Sequence, residues 1–516
     1  MQTFDQLPAV TPSDLVASHA RIVPGRTAIV CGTTRLTWRE FDQRITQVAN
    51  GLLALGLGHG EKVGLLMSNS AEMVEILFGI NRAGCVMVPL SLLAPAEALA
   101  RMIDDAGARA LFVSGSAVPL IESALADLDQ LGDRVFIVDP IGTQGRDHVA
   151  WRNSQSTTRT RVRLSLADES VIVYSSGTTG VPKGIVHTQY NRGQLTLAIA
   201  VEFRFTTGSV ALVTTPLYAN GTWLMLLPAL LVRAPLVIMS KFDPGTMLEL
   251  IATEGVTHTL MVPPQYTAVL AHPSLPSTDL SSLQLLASVG STMRAEVKRA
   301  IMTAIAPRLI ELYGLTEGIA TILQTEDVLT KAESVGTAAF GGEIRIIDDQ
   351  GGELPAGEIG EIVGYGSGLM KGYHNRPEAT ADAVWLADDG RTFLKTGDIG
   401  KLDEDGYLYV LDRKKDMILT GAMNVYPRDI EEVIATHPDV ADVTVIGIPD
   451  PKWDEVPMAL VVLRAGTTPN AEALRGWINE RVGKHQRVAR VVFRDGFPRN
   501  ALGKVLKKEL RAEYGG

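Results

Sequence analysis

The apolar run Val171-Ile172-Val173 leads directly into Tyr174-Ser-Ser-Gly-Thr-Thr-Gly-Val-Pro-Lys-Gly184, a stretch of glycines, hydroxyls and one lysine. A strand that ends in such a loop constrains the fold more than any other segment of this chain. Gly177, Gly180 and Gly184 admit φ > 0 and let successive backbone N–H groups converge on an anion. Ser175, Ser176, Thr178 and Thr179 add hydroxyl donors, and Lys183 adds charge. The composite is a loop suited to gripping a polyphosphate. It departs from the Walker pattern, which needs Gly-Lys-Ser/Thr opening a helix. Here Pro182 precedes the lysine and biases Val181 to an extended conformation. An ordinary Gly/Ser turn is the plainer alternative, and the density of the cluster argues against it.

Other segments fall into register with this loop. They are Tyr313-Gly-Leu-Thr-Glu317, Lys395-Thr-Gly-Asp398, Asp412-Arg-Lys-Lys-Asp416 followed by Gly421-Ala-Met-Asn-Val-Tyr-Pro427, and Pro498-Arg-Asn-Ala-Leu-Gly-Lys504. In this order, and spanning most of the chain, they resemble the signatures of the adenylate-forming superfamily. That superfamily holds the acyl- and aryl-CoA synthetases, peptide-synthetase adenylation domains and firefly luciferase. The resemblance implies an α/β protein with a large N-terminal domain of helix-covered, mostly parallel sheets and a small β-barrel subdomain. A smaller α+β lid would follow. The implied boundaries are an adenylating domain over 1–412, a hinge over 413–416 and a mobile lid over 417–516.

Length and composition agree. A chain of 516 residues exceeds one hydrophobic core. With 46% apolar and 21% charged residues it has the balance of a globular protein. The net charge of −10 argues against general binding to nucleic acid or anionic membranes. ATP and CoA are anions, so their sites must be locally positive, and Lys183, Arg413, Arg487 and Lys504 are the candidate sources. Cys31 and Cys85 read as free thiols buried in the core, with no metal spacing around them. No leader-like basic and apolar segment opens the chain. The apolar tract Leu217 to Met239 is broken by Asn220, Pro228, Arg233 and Pro235, which favours a buried helix and strand over a membrane span. A cytoplasmic protein is expected, as monomer or homodimer.

Between residues 11 and 140, helical and strand periodicities alternate. Thr37 with Glu40 forms a capping box ahead of an amphipathic helix reaching Leu55. A strand at Lys62–Met67, a helix from Ser70 to Ala83 and a strand at Val86–Leu90 complete a βαβ rhythm, which predicts a parallel sheet. Thr143 to Leu164 reads as a polar surface connection. Residues 334–410 show short β segments with Gly/Asp turns, consistent with a small antiparallel barrel or sheet. Pro427 opens a helix in the last hundred residues.

The resemblance assigns roles residue by residue. Lys504 would touch the carboxylate and the α-phosphate during adenylation. Glu317 would hold Mg2+, with Thr316 beside the α-phosphate. Ser175, Ser176, Gly177, Thr178, Thr179, Gly180 and Lys183 would bind the phosphates. Tyr313 and Gly314 would pack on adenine, with Gly290, Ser291 and Thr292 along its edge. Asp398 would accept the ribose hydroxyls, a match of two carboxylate oxygens to a diol, completed by Arg413, and Val410 would also belong to the cofactor site. Lys415 would be the pivot of a lid that alternates between two half-reactions. Gly421 and Ala422 would line a pantetheine tunnel, where the family usually has Gly-Gly. Trp453 and Arg487 match positions that contact the CoA nucleotide in benzoate-type ligases; a lid-core tryptophan and a surface arginine are the bland alternatives.

For the acid, the candidate liners are Tyr218, Ala219, Asn220, Trp223, Met261, Val289, Gly314, Ile319 and Ala320. The family usually has histidine where Ala219 stands. These residues give an apolar pocket with no evident cation. They favour an uncharged aromatic, alicyclic or medium-chain monocarboxylate over a dicarboxylate. The implied activity is that of an AMP-forming carboxylate–CoA ligase using ATP, Mg2+ and CoA. An adenylating enzyme that loads a carrier protein stays open as an alternative. A non-catalytic nucleotide-binding regulator fits poorly, because the loop and the lysine are intact. The setting of Lys504 also resembles that of synthetases switched off by a lysine acetyltransferase, whose modification would remove the charge.

Overall fold

The computed structural model describes residues 10–125, 127–139, 145–174, 182–291, 293–306, 308–420, 423–500 and 503–514. The chain divides into two compact units, one of residues 1–343 and 365–384, the other of residues 344–364 and 385–516.

Among the described residues, two large sheets build the first unit. One has eight strands, in which Val135–Val138, Ala108–Ser114, Lys62–Leu66, Val86–Pro89 and Glu169–Tyr174 run parallel in that spatial order. The other has nine, with Leu309–Gly314, Leu285–Ser288, His258–Met261, Ala211–Val213 and Leu236–Ile238 parallel. Strands such as Val86–Pro89 are buried along their whole length, as parallel sheets covered on both faces require.

Local signals fix the helices between them. Thr37 accepts from the Glu40 N–H while the Glu40 side chain reaches back, and the helix Trp38–Ala54 follows. Ser70 caps Ala71–Arg82. The apolar tract resolves into the helix Trp223–Leu231 and the strand Leu236–Ile238. Among the described residues no helix is long and apolar enough to cross a membrane.

One stretch departs from the sequence reading. Residues 145–164 are more than a surface connection, because they contain the helix His148–Asn153. The Trp151 ring lies 4.3 Å from that of Phe136. His148 and Arg152 meet the fully buried Glu75 at 3.0 and 2.5 Å. The polar residues that suggested solvent are satisfied by one another instead, which is how buried charge is tolerated. Both cysteines are free, but only Cys85 is fully buried, and Cys31 is half-buried.

The second unit holds two five-stranded sheets. One gathers Gly342–Ile347, Gly360–Gly366, Val384–Leu386, Thr392–Leu402 and Leu408–Arg413. The other centres on the long antiparallel pair Val440–Asp450 and Asp454–Leu463. The helices Pro427–Ala435 and Ala471–Asn479 cover it through Ile430, Ile434, Leu474 and Ile478.

Candidate active site

In the first unit the site residues gather at strand ends. The four parallel strands from Ala211–Val213 to Leu309–Gly314 are neighbours in one sheet. Their carboxyl ends lead into Tyr218 to Trp223, Met261, Val289 to Ser291, and Tyr313 with Gly314. Open α/β sheets bind ligands at that edge. Gly290 holds φ of 98°, a conformation that favours glycine. Thr292 lies outside the described residues.

Gly314 pairs with Ala320 across a tight antiparallel hairpin. Its turn is closed by the Leu315 N–H on the Ile319 carbonyl at 3.1 Å. At Gly318 φ is 106°, and a Cβ there would lie 2.1 Å from the Gly368 carbonyl oxygen. Only glycine serves at that point, and the turn it allows presents Thr316 and Glu317.

Neighbouring elements hold this turn. His187 donates from Nε2 to the Thr316 carbonyl at 2.7 Å. The Met370 N–H donates to the Glu317 carbonyl at 2.8 Å. The Tyr373 hydroxyl donates to Glu317 Oε1 at 3.0 Å, and Lys183 Nζ lies 4.8 Å from the centre of the same ring. Lys183 and Glu317 therefore meet through Tyr373. Burial, and then the Glu317 charge, push the Tyr373 phenol well above its usual range, so it stays a neutral donor. Sequence reasoning missed Tyr373 and His187; no local spacing ties either to the Glu317 turn.

The segment Ser175, Ser176, Gly177, Thr178, Thr179 and Gly180 lies outside the described residues. Its flanks are informative. Tyr174 stands opposite Gly184 in an antiparallel pair, so the segment connects two strands of a hairpin and opens no helix. A strand, Gly184–Thr188, follows Pro182 and Lys183 where the Walker pattern requires a helix. The Tyr174 hydroxyl donates to Asp105 at 2.6 Å and ties down the base of the hairpin.

A cation stands among the expected acyl-pocket residues, contrary to the apolar reading. Arg192, in the helix Gln189–Glu202, donates from Nη1 to Asn220 Oδ1 at 2.7 Å. Its guanidinium lies 5.0 Å from the centre of the Trp223 ring. Tyr218, Val289, Met261 and Ile319 are buried, as expected of liners. Arg192 escaped notice because it lies in none of the motifs quoted from the sequence.

The second unit carries a dense group of charges. Asp398 and Arg413 are partners across adjacent strands, with Arg413 Nε 3.2 Å from Asp398 Oδ1. Lys504 and Lys415 lie close enough to feel both of them and each other. Burial first, then Arg413, lower each lysine to about 8. A local lock shapes the Lys504 loop: the Asn500 N–H donates to the Lys504 carbonyl, and the Lys504 N–H to Asn500 Oδ1, both at 2.9 Å. Gly503 turns the chain there with φ of 76°.

Lys415 sits between two latches. Lys414 Nζ reaches Asp349 at 3.0 Å and Glu361 at 3.1 Å. Asp416 is held by Arg511 of the last helix at 2.7 Å. The Val410 carbonyl accepts from Arg428 at 2.5 Å. Gly421 and Ala422 lie outside the described residues. Trp453 is 46% exposed with Lys452 Nζ 4.7 Å from its ring centre, and Arg487 is exposed, so neither is a core residue.

Among the described residues no three or more His, Cys, Asp or Glu side chains gather to hold a metal. A lone carboxylate held by a neutral phenol suits Mg2+, which takes one or two carboxylates and completes its shell with phosphate oxygens and water.

Known proteins match along nearly the whole length. Residues 16–374 match the AMP-binding enzyme family, and residues 429–504 match the AMP-binding enzyme C-terminal domain. A feruloyl-CoA synthase of Amycolatopsis sp is 34% identical over 96% of this chain and 98% of its own. A long-chain-fatty-acid–CoA ligase of Mycobacterium tuberculosis is 32% identical, covering 97% of this chain and 98% of its own. The crystal structure of ATP-bound MatB from Rhodopseudomonas palustris superposes with a TM-score of 0.88 at 30% identity, covering 98% of this chain and 99% of that one. The hairpin loop, the Glu317 turn, the Asp398–Arg413 pair and the Lys504 loop thus stand in a chain that belongs to the AMP-binding enzyme family.

Proposed function

We propose that this protein is an ATP-dependent, AMP-forming ligase that joins an acyl or aryl carboxylic acid to CoA. A carboxylate does not react with a thiol at neutral pH, because oxide is too poor a leaving group. Attack of the carboxylate on the α-phosphorus of ATP gives an acyl-adenylate and pyrophosphate. The CoA thiolate then displaces AMP. The first step sets a carboxylate against a triphosphate, so positive charge must offset the repulsion.

The observation that carries this reading is the grouping of Lys504, Lys415 and Arg413 around Asp398. Three cations held in partial burial against two carboxylates, Asp398 and Asp416, suit a polyanion such as ATP. Asp398 and Arg413 take the ribose, and Lys504 neutralises charge at the α-phosphate and the attacking carboxylate. Lys183 and the hairpin it closes hold the outer phosphates. Glu317, steadied by Tyr373, holds Mg2+, which supplies Lewis acidity at the phosphates when bound. The latches at Lys414 and Asp416 support Lys415 as the pivot of a hinge over 413–416, with the adenylating domain before it and the lid after it.

Relatives that share the thiol while differing in the acid support CoA as acceptor. Exposed Trp453 and Arg487 fit a base-stacking and phosphate-pairing role toward it. A lysine acetyltransferase acting on Lys504 would remove the charge the first step needs. The test is pyrophosphate release from ATP and Mg2+ across a panel of aromatic, alicyclic and aliphatic acids. Thioester formation is then compared between CoA and a phosphopantetheinylated carrier protein. Release with at least one acid and a thioester with CoA are expected. No release with any acid, or transfer to the carrier alone, would overturn the assignment.

A further inference from the structure

We propose that Arg192 recognises a second carboxylate on the acid, so that the acyl pocket takes a dicarboxylic acid. The inference rests on the ligase reading above and narrows its substrate class.

Arg192 is 3% exposed. It borders a narrow crevice with Leu195, Ile199, Leu227 and Pro228, which shares Trp223 with the expected acyl-pocket residues. Its contacts are those of an oriented binding group. Asn220 holds Nη1, and the Trp223 ring lies beside the guanidinium at cation–π distance. Both neighbours come from the segment that follows the strand Ala211–Val213, where the acyl pocket is expected.

Nothing among the described residues neutralises it. Nε and Nη2 are buried without a hydrogen-bond partner. Those two donors form one edge of the guanidinium, the fork that matches the two oxygens of a carboxylate. Burial alone lowers its pKa to about 9, so the group still carries its charge at neutral pH. His187 adds no second positive charge, since burial and then Arg192 itself keep that imidazole neutral. A buried, unpaired cation is costly, and a neutral residue of similar volume would pack against Trp223 without that cost. The arrangement makes sense if an anion arrives with the substrate.

The test compares matched acids in the pyrophosphate assay: hexanoate with hexanedioate, octanoate with octanedioate, benzoate with benzene-1,4-dicarboxylate. The wild type should favour the dicarboxylate in at least one pair by about a hundredfold in kcat/KM. Arg192→Lys, which keeps the charge and loses the fork, should cut that ratio by about tenfold. Arg192→Leu should invert it. A wild-type preference for the monocarboxylate in every pair would overturn the inference. So would Arg192→Leu lowering both members of a pair equally, since the arginine would then serve the reacting carboxylate. A stronger preference for 4-hydroxy-3-methoxycinnamate than for any dicarboxylate would also overturn it. If Arg192→Leu does not fold, the Arg192→Lys ratio decides. Release with monocarboxylates alone defeats this inference and spares the ligase reading, whereas release with no acid defeats the ligase reading itself.

Discussion

Glu317 and Lys504 carry opposite charges and are held in opposite ways. Every neighbour of the Glu317 turn fixes it: Gly318 admits the tight bend, His187 and Met370 bind its carbonyls, and the Tyr373 hydroxyl bonds the carboxylate. Around Lys504 the backbone is locked by Asn500, yet burial and Arg413 outweigh Asp398 and Asp416, and both Lys504 and Lys415 are lowered to about 8. The first region is complete before any ligand arrives. Under the proposed function the second becomes favourable once a polyanion joins it, and part of the free energy of binding ATP there would relieve repulsion already present.

The difference can be broken from either side. Lys504→Ala should lower pyrophosphate release on the order of a thousandfold, because charge at the reacting phosphorus is lost. Glu317→Gln should lower it about a hundredfold and raise the Mg2+ concentration needed for half-maximal rate. Tyr373→Phe removes one hydrogen bond to a charged group and should cost about tenfold in the same assay.

The smallest effect is on pH. A lysine lowered to about 8 is charged below that pH and loses its proton as pH rises through it. The value of kcat/KM for ATP, which reports the free enzyme, should fall above about pH 8. Lys504→Arg should move that limb upward, since guanidinium stays protonated. A flat profile to pH 10 in the wild type would mean that Lys504 is not the titrating group.

Much of this was legible in the sequence. The helices announced by Thr37 and Ser70 start where their caps stand, and Pro182 signalled that the lysine loop opens no helix. Asp398 and Arg413 could be nominated by resemblance because each lies in a contiguous motif. What escaped were residues that act across long separations. Tyr373 meets Glu317 from 56 positions away, and Arg192 meets Asn220 from 28. Neither pairing follows any local period. His148 and Arg152 looked like solvated charges until the fold supplied Glu75 as a buried counter-charge. Arg192 lies in none of the contiguous motifs, and only tertiary packing revealed its unmatched donors.

The most direct test of the account bypasses the first step. Lys504→Ala is given a synthetic acyl-adenylate and CoA, and thioester formation is followed beside the wild type. If Lys504 serves adenylation alone, the variant forms thioester at a rate within about threefold of the wild type, although it scarcely releases pyrophosphate from ATP. Equal loss in both half-reactions would contradict that division of labour, and undiminished pyrophosphate release would remove Lys504 from the chemistry altogether.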